Sequence, residues 1–328
     1  MKLSGVLGQD RAKTKLEAEL KASRLAHAYL FVGPEGCGRG TLALALFQAV
    51  NCEKQDGDEP CGECGSCRRA LAGQHEDLMV LAPPKGQASA QIKVEEVREV
   101  IRTLSFAPYG GGTRLVLIRE AEHLNLTSAN VLLKTLEEPP PGNLIVLTVQ
   151  DAKGILPTLV SRCRRVNLLP LTPSLIAHEL EQRGMESEPA ALKAAMSGGS
   201  LGRALEMDEA RLASDLEKLV SRLTAQDGAV ADWAFAEEMV REFRGATIDR
   251  EGLVEALDLL AVYFRDQAVS AAGRPQGALL PQTGPGLGLE TASQGFSAVR
   301  RAQAQIQGNA SPELALTVLL GKLRGAAA

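Results

Sequence analysis

Short apolar runs alternate with helical patterns through the first half of the chain. Ala28–Val32 is a continuous apolar run that ends in glycines, and Leu115–Ile118, Leu144–Val149 and Asp77–Leu81, the last closed by Pro83 and Pro84, are three more. Runs without polar alternation predict strands buried on both faces, as in a parallel sheet. Helical spacing lies between them, at Val94–Leu104 and at Ser128–Glu138. Strands alternating with helices predict a doubly wound α/β domain. Beyond about residue 167 the strand signals stop and Pro170 and Pro173 mark a break. Residues 174–208 read as short helices joined by Gly-rich turns and 210–268 as longer amphipathic helices. Residues 271–295, rich in Gly, Pro, Gln and Ser, read as a loop, and a last helix is expected over about Pro312–Arg324.

Composition narrows the class. With 328 residues, 45% hydrophobic and 23% charged, the chain suits a globular protein of two or three domains. No stretch approaches a membrane span and the start lacks a signal-peptide core, so a cytosolic protein is expected. A net charge of −4 excludes polyanion binding by bulk charge. Six cysteines are present. In a cytosolic chain the tight cluster among them points to a metal before disulfides.

Two segments carry candidate chemistry. GPEGCGRGT, residues 33–41, follows the first apolar run and precedes an apolar helix. A phosphate loop needs glycines so that backbone N–H groups can wrap phosphates, a lysine for the outer phosphates, and a Ser or Thr hydroxyl for magnesium. Gly33, Gly36 and Gly38 keep the glycine frame; Arg39 stands at the lysine position and Gly40 at the hydroxyl position, with Thr41 one place late. The strand 115–118 runs into Arg119, where a nucleotide-hydrolysing site places a metal-binding Asp, and only Glu120 remains acidic there. Losses at Gly40 and Arg119 together predict a vestigial loop that hydrolyses no ATP–magnesium. The second segment holds Cys52, Cys61, Cys64 and Cys67 with the spacing C-x8-C-x2-C-x2-C. Four thiolates satisfy tetrahedral zinc with no open position, a structural site; an iron–sulfur cluster is the alternative metal, and free or paired cysteines the non-metal one.

LGQDRAKTKL, HAYLFVGPEGCG, the cysteine cluster behind the loop helix, LLKTLEEPP at 132–140 and Ser161-Arg162-Cys163 occur in that order. Together they resemble the bacterial DNA polymerase III clamp-loader AAA+ family. The resemblance implies α/β followed by all-α: a P-loop-type parallel sheet domain over 1–167 with a zinc module at about 52–67, a small helical lid over 168–208, and a helical collar over 209–328. It implies the inactive, delta-prime-type branch, because the active gamma/tau type keeps the lysine, the hydroxyl and the acidic pair. Arg162 matches an arginine finger given in trans to a neighbouring gamma/tau ATPase, with Ser161 and Cys163 positioning it. Lys134, Thr135, Glu137 and Glu138 match framing residues without assigned chemistry. GGSLGRALE resembles a second sensor helix, with Gly202 where active members carry arginine and Arg203 one step on. Thr148 and Gln150 both stand near the place of a nucleotide-sensing residue. Implied partners are gamma/tau and delta subunits in a hetero-oligomeric ring, with the sliding clamp and primer-template DNA reached through the assembly at the nucleoid. Polymerase activity belongs to the holoenzyme. Two other readings differ in mechanism: a gamma/tau-type ATPase that tolerates Arg39, and a zinc-dependent nucleic-acid module, which 3% aromatics and the negative charge disfavour.

Overall fold

The computed structural model describes residues 3–54, 59–84, 91–224, 228–245, 248–274, 278–280 and 286–327. The chain divides into two compact units, residues 1–175 with 199–202, and residues 176–198 with 203–328.

The first unit holds one five-stranded sheet in the order β2-β3-β4-β1-β5. Its strands are β1 (Ala28–Val32), β2 (Leu78–Leu81), β3 (Arg114–Ile118), β4 (Asn143–Val149) and β5 (Arg164–Asn167). All four pairings are parallel. Between the strands run α1 (Asp10–Lys21, before β1), α2 (Arg39–Asn51), α3 (Gly65–Leu71), α4 (Val94–Leu104), α5 (Leu126–Glu137) and α6 (Pro157–Val160). The three central strands are buried along their whole length because both faces are covered. One face sends Tyr29, Phe31, Leu115, Leu117 and Val146 against Leu16, Leu42 and Leu46 of α1 and α2. The other sends Leu30, Val116, Ile118, Ile145 and Leu147 against Val97, Val100, Leu132 and Leu136 of α4 and α5. This is the parallel α/β sheet, covered by helices on both faces, that the sequence pattern implied.

The sheet's two outer strands depart from expectation. The Asp77–Leu81 run is not buried on both faces: β2 is an edge strand, and Val80 is 45% exposed. β5 was not expected at all. Its RRVN sequence buries only Val166, so an edge strand that pairs with β1 carries no apolar run.

The helices that follow are α7 (Pro173–Gln182), α8 (Ser187–Met196), α9 (Leu201–Glu206), α10 (Glu209–Thr224), α11 (Ala229–Glu242), α12 (Arg250–Ala271), α13 (Leu289–Gln307) and α14 (Pro312–Ala327). The second unit has its own core around Leu253, Leu257, Leu260, Phe264, Val299, Ile306, Leu316 and Leu319. A Cβ added at Gly295 would stand 2.4 Å from the Phe264 ring, so α12 and α13 approach closely there only because that residue is glycine. Buried Asp232 of α11 accepts from Arg222 of α10 at 2.7 Å and from Arg324 of α14, which ties three helices together. The 271–295 loop expected from composition is shorter than that, since α13 begins at Leu289; residues 275–277 and 281–285 of it lie outside the described residues. No described helix is long and apolar enough to cross a membrane.

Candidate functional site

Parallel strands give the first unit a carboxyl edge and an amino edge, and the candidate residues fall on both. The loop of Gly33, Gly36 and Gly38 leaves the end of β1 at the carboxyl edge. Gly36 has φ +68° and Gly38 φ +100°, backbone that favours glycine, and a Cβ at Gly36 would meet Ser200 Oγ at 1.8 Å. The loop therefore holds its shape because it is glycine. α2 starts at once after it, at Arg39, with no side-chain cap from Gly38.

Arg39 is 7% exposed, and its Nη1 has no hydrogen-bond partner among the described residues. Arg119, just past the end of β3, lays its guanidinium over Gly40: a Cβ there would stand 3.2 Å from Nη2 and 3.4 Å from Nε. The ground on which a hydroxyl and a carboxylate would hold magnesium is thus occupied by a cation, which repels a metal ion. Thr148 is buried and its hydroxyl accepts from the Glu120 N–H at 3.2 Å, while Gln150 is exposed and its backbone N–H donates to Glu122 Oε1 at 3.0 Å.

The cysteines run from Cys52, at the end of α2, to Cys67, within the first turn of α3. One sulfur from each of Cys52, Cys61, Cys64 and Cys67 lies within 4.8 Å of the others. Backbone N–H groups point at these sulfurs. Cys61 donates to Cys52 Sγ (3.2 Å), Cys64 to Cys61 Sγ (3.3 Å), and Cys67 to Cys64 Sγ (3.4 Å). Such bonds stabilise thiolates. Burial pushes the Cys64 thiol up, but the N–H groups of Cys67 and Glu53 and the adjacent thiols outweigh it and bring it down to about 6. Burial, helped by the Cys64 sulfur, pushes Cys67 up to about 12. Four sulfurs in this small a space cannot all be anionic unless a cation sits among them, and an all-thiolate, closed set of donors suits a structural ion.

The cluster is wired to the loop helix. Gln48 of α2 donates to Cys67 O at 2.7 Å, and Phe47 meets the His75 ring edge-on at 4.9 Å. His75 Nδ1 accepts from the Asp77 N–H at 3.1 Å, so its Nε2 carries the proton and donates to Ser66 Oγ at 3.1 Å. Asp77, 2% exposed, accepts from the Tyr109 N–H (2.8 Å), the Gly110 N–H (3.0 Å) and Arg114 Nη2 (3.1 Å). Burial alone would raise its carboxyl, but these donors hold it below the usual carboxylate range. Sequence spacing carried no signal for His75, Asp77 or Arg114, whose partners come from distant segments.

Arg162 stands between α6 and β5. Arg164 pairs in register with Tyr29, so Arg162 lies at the amino edge. From Tyr29 to Gly33 the strand covers about 13 Å. Arg162 and the chain's own glycine loop are therefore at opposite edges of the sheet. Its Nη2 meets Glu137 Oε1 at 2.5 Å, and its Nη1 donates to Thr158 O at 3.0 Å and to Ser161 Oγ at 3.4 Å. Cys163 turns into the core, 8% exposed, where burial pushes its thiol up to about 12, and no hydrogen bond joins it to Arg162. Lys134 is exposed, and Thr135 is buried within α5.

A family model described as DNA polymerase III, delta subunit, matches residues 8–172. The chain is similar to DNA polymerase III subunit tau of Escherichia coli (strain K12), 35% identical over 215 residues that make up 64% of this chain and 33% of tau. It is similar to DNA polymerase III subunit delta' of the same organism, 37% identical over 194 residues, 59% of this chain and 58% of that one. It is similar also to DNA polymerase III subunit delta' of Bacillus subtilis (strain 168), 30% identical over 263 residues, 79% and 76% of the two chains. The chain spans about a third of the length of the tau subunits it matches.

Proposed function

The chain belongs to the DNA polymerase III delta-subunit family, and from that membership we propose that it is a delta-prime-type subunit of a clamp loader that hydrolyses no ATP itself. The observation that carries this reading is Arg119 lying over Gly40, beside Arg39 at the lysine position. With neither magnesium ligand, an arginine in place of the lysine and one added cation at Arg119, the loop lacks what phosphoryl transfer requires. The subunit's contribution then lies at the opposite edge. Arg162 is offered to the ATP site of a neighbouring gamma/tau-type subunit, where it stabilises charge on the transferring phosphoryl group. Its distance from the chain's own loop supports action in trans.

Zinc is the ion proposed for Cys52, Cys61, Cys64 and Cys67, in a structural role. Residues 168–208 as lid and 209–328 as oligomerising collar belong to the same proposal; the two compact units divide that lid, with 168–175 and 199–202 in the first and 176–198 and 203–208 in the second. Gamma/tau and delta subunits are the proposed ring partners in the replisome; the clamp and primed DNA are met through the ring.

The test is a reconstitution with a gamma/tau-type ATPase, a delta-type subunit, clamp and primed DNA. DNA-stimulated ATP turnover should depend on this chain and fall with Arg162→Ala. Turnover indifferent to Arg162 would remove the finger.

A further inference from the structure

We propose that Glu137 is the positioning residue of Arg162: it grips the guanidinium by one end and leaves a phosphate-matched fork pointing away from the chain. This rests on the reading of Arg162 as a finger and adds the residue that aims it. The Arg162 guanidinium makes three hydrogen bonds among the described residues, to Glu137, Thr158 O and Ser161 Oγ. They engage Nη1 twice and Nη2 once. The Nε–H and the second Nη2–H have no partner among the described residues. Nε and Nη2 are the side-on fork of a guanidinium, the pair whose geometry fits two phosphate oxygens. With its side chain 34% exposed, Arg162 is accessible to a ligand that comes from outside the chain.

Glu137 is suited to this by its mounting. It is the last residue of α5. The turn before it is fixed, with Thr135 and Leu136 buried and Leu136 O bonded to His27 Nε2 at 3.1 Å. A carboxylate at a helix C-terminus faces the negative end of the helix dipole, and the Arg162 charge offsets that. The backbone carbonyl of Thr158 and the Ser161 hydroxyl hold the guanidinium from the other side, and Ser161 Oγ itself donates to Thr158 O at 3.0 Å. Glu137 is 49% exposed, and so open a pair adds little to folding stability. An aiming role and a structural role therefore separate in measurement.

The experiment compares wild type, Arg162→Ala, Glu137→Ala and Glu137→Gln in the reconstituted assembly. It reads kcat and KM for ATP, the melting temperature of the isolated chain, and assembly by size. Arg162→Ala should lower kcat on the scale of roughly 10³-fold or more. Glu137→Ala should lower it roughly tenfold with KM within about twofold, since a misplaced group costs rate rather than ground-state binding. Glu137→Gln keeps an acceptor oxygen in place and should stay within about threefold of wild type. Melting and assembly should not change in either Glu137 variant. A wild-type kcat for Glu137→Ala beside a slow Arg162→Ala overturns the proposal and leaves the finger standing. Equal losses in Glu137→Ala and Glu137→Gln, or a loss that follows melting or assembly, also overturn it. Unchanged turnover in Arg162→Ala removes the finger, and the proposal with it.

Discussion

At the carboxyl edge of the sheet, where β1 and β3 end, the groups that would hold a metal–nucleotide are replaced by Gly40 and Arg119, and a buried Arg39 nitrogen has no partner among the described residues. At the amino edge of the same sheet, several charged and polar groups pair, Asp77 with Arg114, Glu137 with Arg162 and His75 with Ser66, and four cysteine sulfurs cluster, while Arg114 Nε and Asn143 Oδ1 are buried there without a partner among the described residues. One sheet supports both edges, so the difference is not one of fold. In the proposed reading, a phosphate-loop scaffold loses its own chemistry at one edge while Arg162 at the other serves a neighbouring subunit.

The largest effect should come from the cysteines. Cys67→Ser, at a fully buried sulfur, should abolish stoichiometric zinc in metal analysis under reducing conditions and lower the melting temperature of the chain. Structural zinc contributes on the order of 10 kcal/mol of binding free energy in small finger peptides. Wild type without a bound ion would break the contrast at its strongest point, and iron in its place would replace zinc with a cluster.

Next is Asp77→Ala, which leaves Arg114 buried without its counter-charge; urea denaturation at neutral pH should report a loss of about 3–5 kcal/mol. The sign with pH is set by the depressed carboxyl of Asp77. A carboxylate whose folded pKa lies below its unfolded value of about 3.9 contributes stability that is fully present above that value and is lost as pH falls through the folded pKa. The gap between wild type and Asp77→Ala should therefore be constant from neutral pH down to about 4 and close below it. A gap that widens in acid would contradict the pairing.

Substitutions at the carboxyl edge should cost less. Gly36→Ala combines positive φ with a 1.8 Å approach to Ser200 Oγ and should cost about 1–3 kcal/mol, with partial recovery in Gly36→Ala/Ser200→Gly. Arg119→Ala, at an exposed side chain, should stay within about 0.5 kcal/mol of wild type in the same denaturation assay.

Much of the fold was legible where burial is two-sided. The apolar run at Ala28–Val32 is β1 to the residue, and the Val94–Leu104 pattern is α4 to the residue, because a covered sheet and an amphipathic helix leave unambiguous periods. The sheet edges were not. β5 exposes both of its arginines, and half-exposed β2 passes for a buried strand because its side chains are apolar on both faces. The start of α13 was masked by the Gly, Pro and Gln that precede it. At the site, the cysteine spacing and the altered loop were readable because both are local. The partners of Arg162 and Asp77 were not, because Glu137 lies 25 residues from Arg162 and Arg114 lies 37 from Asp77, separations that carry no period.

The most direct measurement is magnesium-dependent ATP turnover by the purified chain alone, free of partner subunits. The arrangement of Arg39, Gly40 and Arg119 predicts none above background, with or without primed DNA. Robust turnover that requires magnesium and is abolished by substitution in the glycine loop would contradict it, and would make this chain an ATPase in its own right.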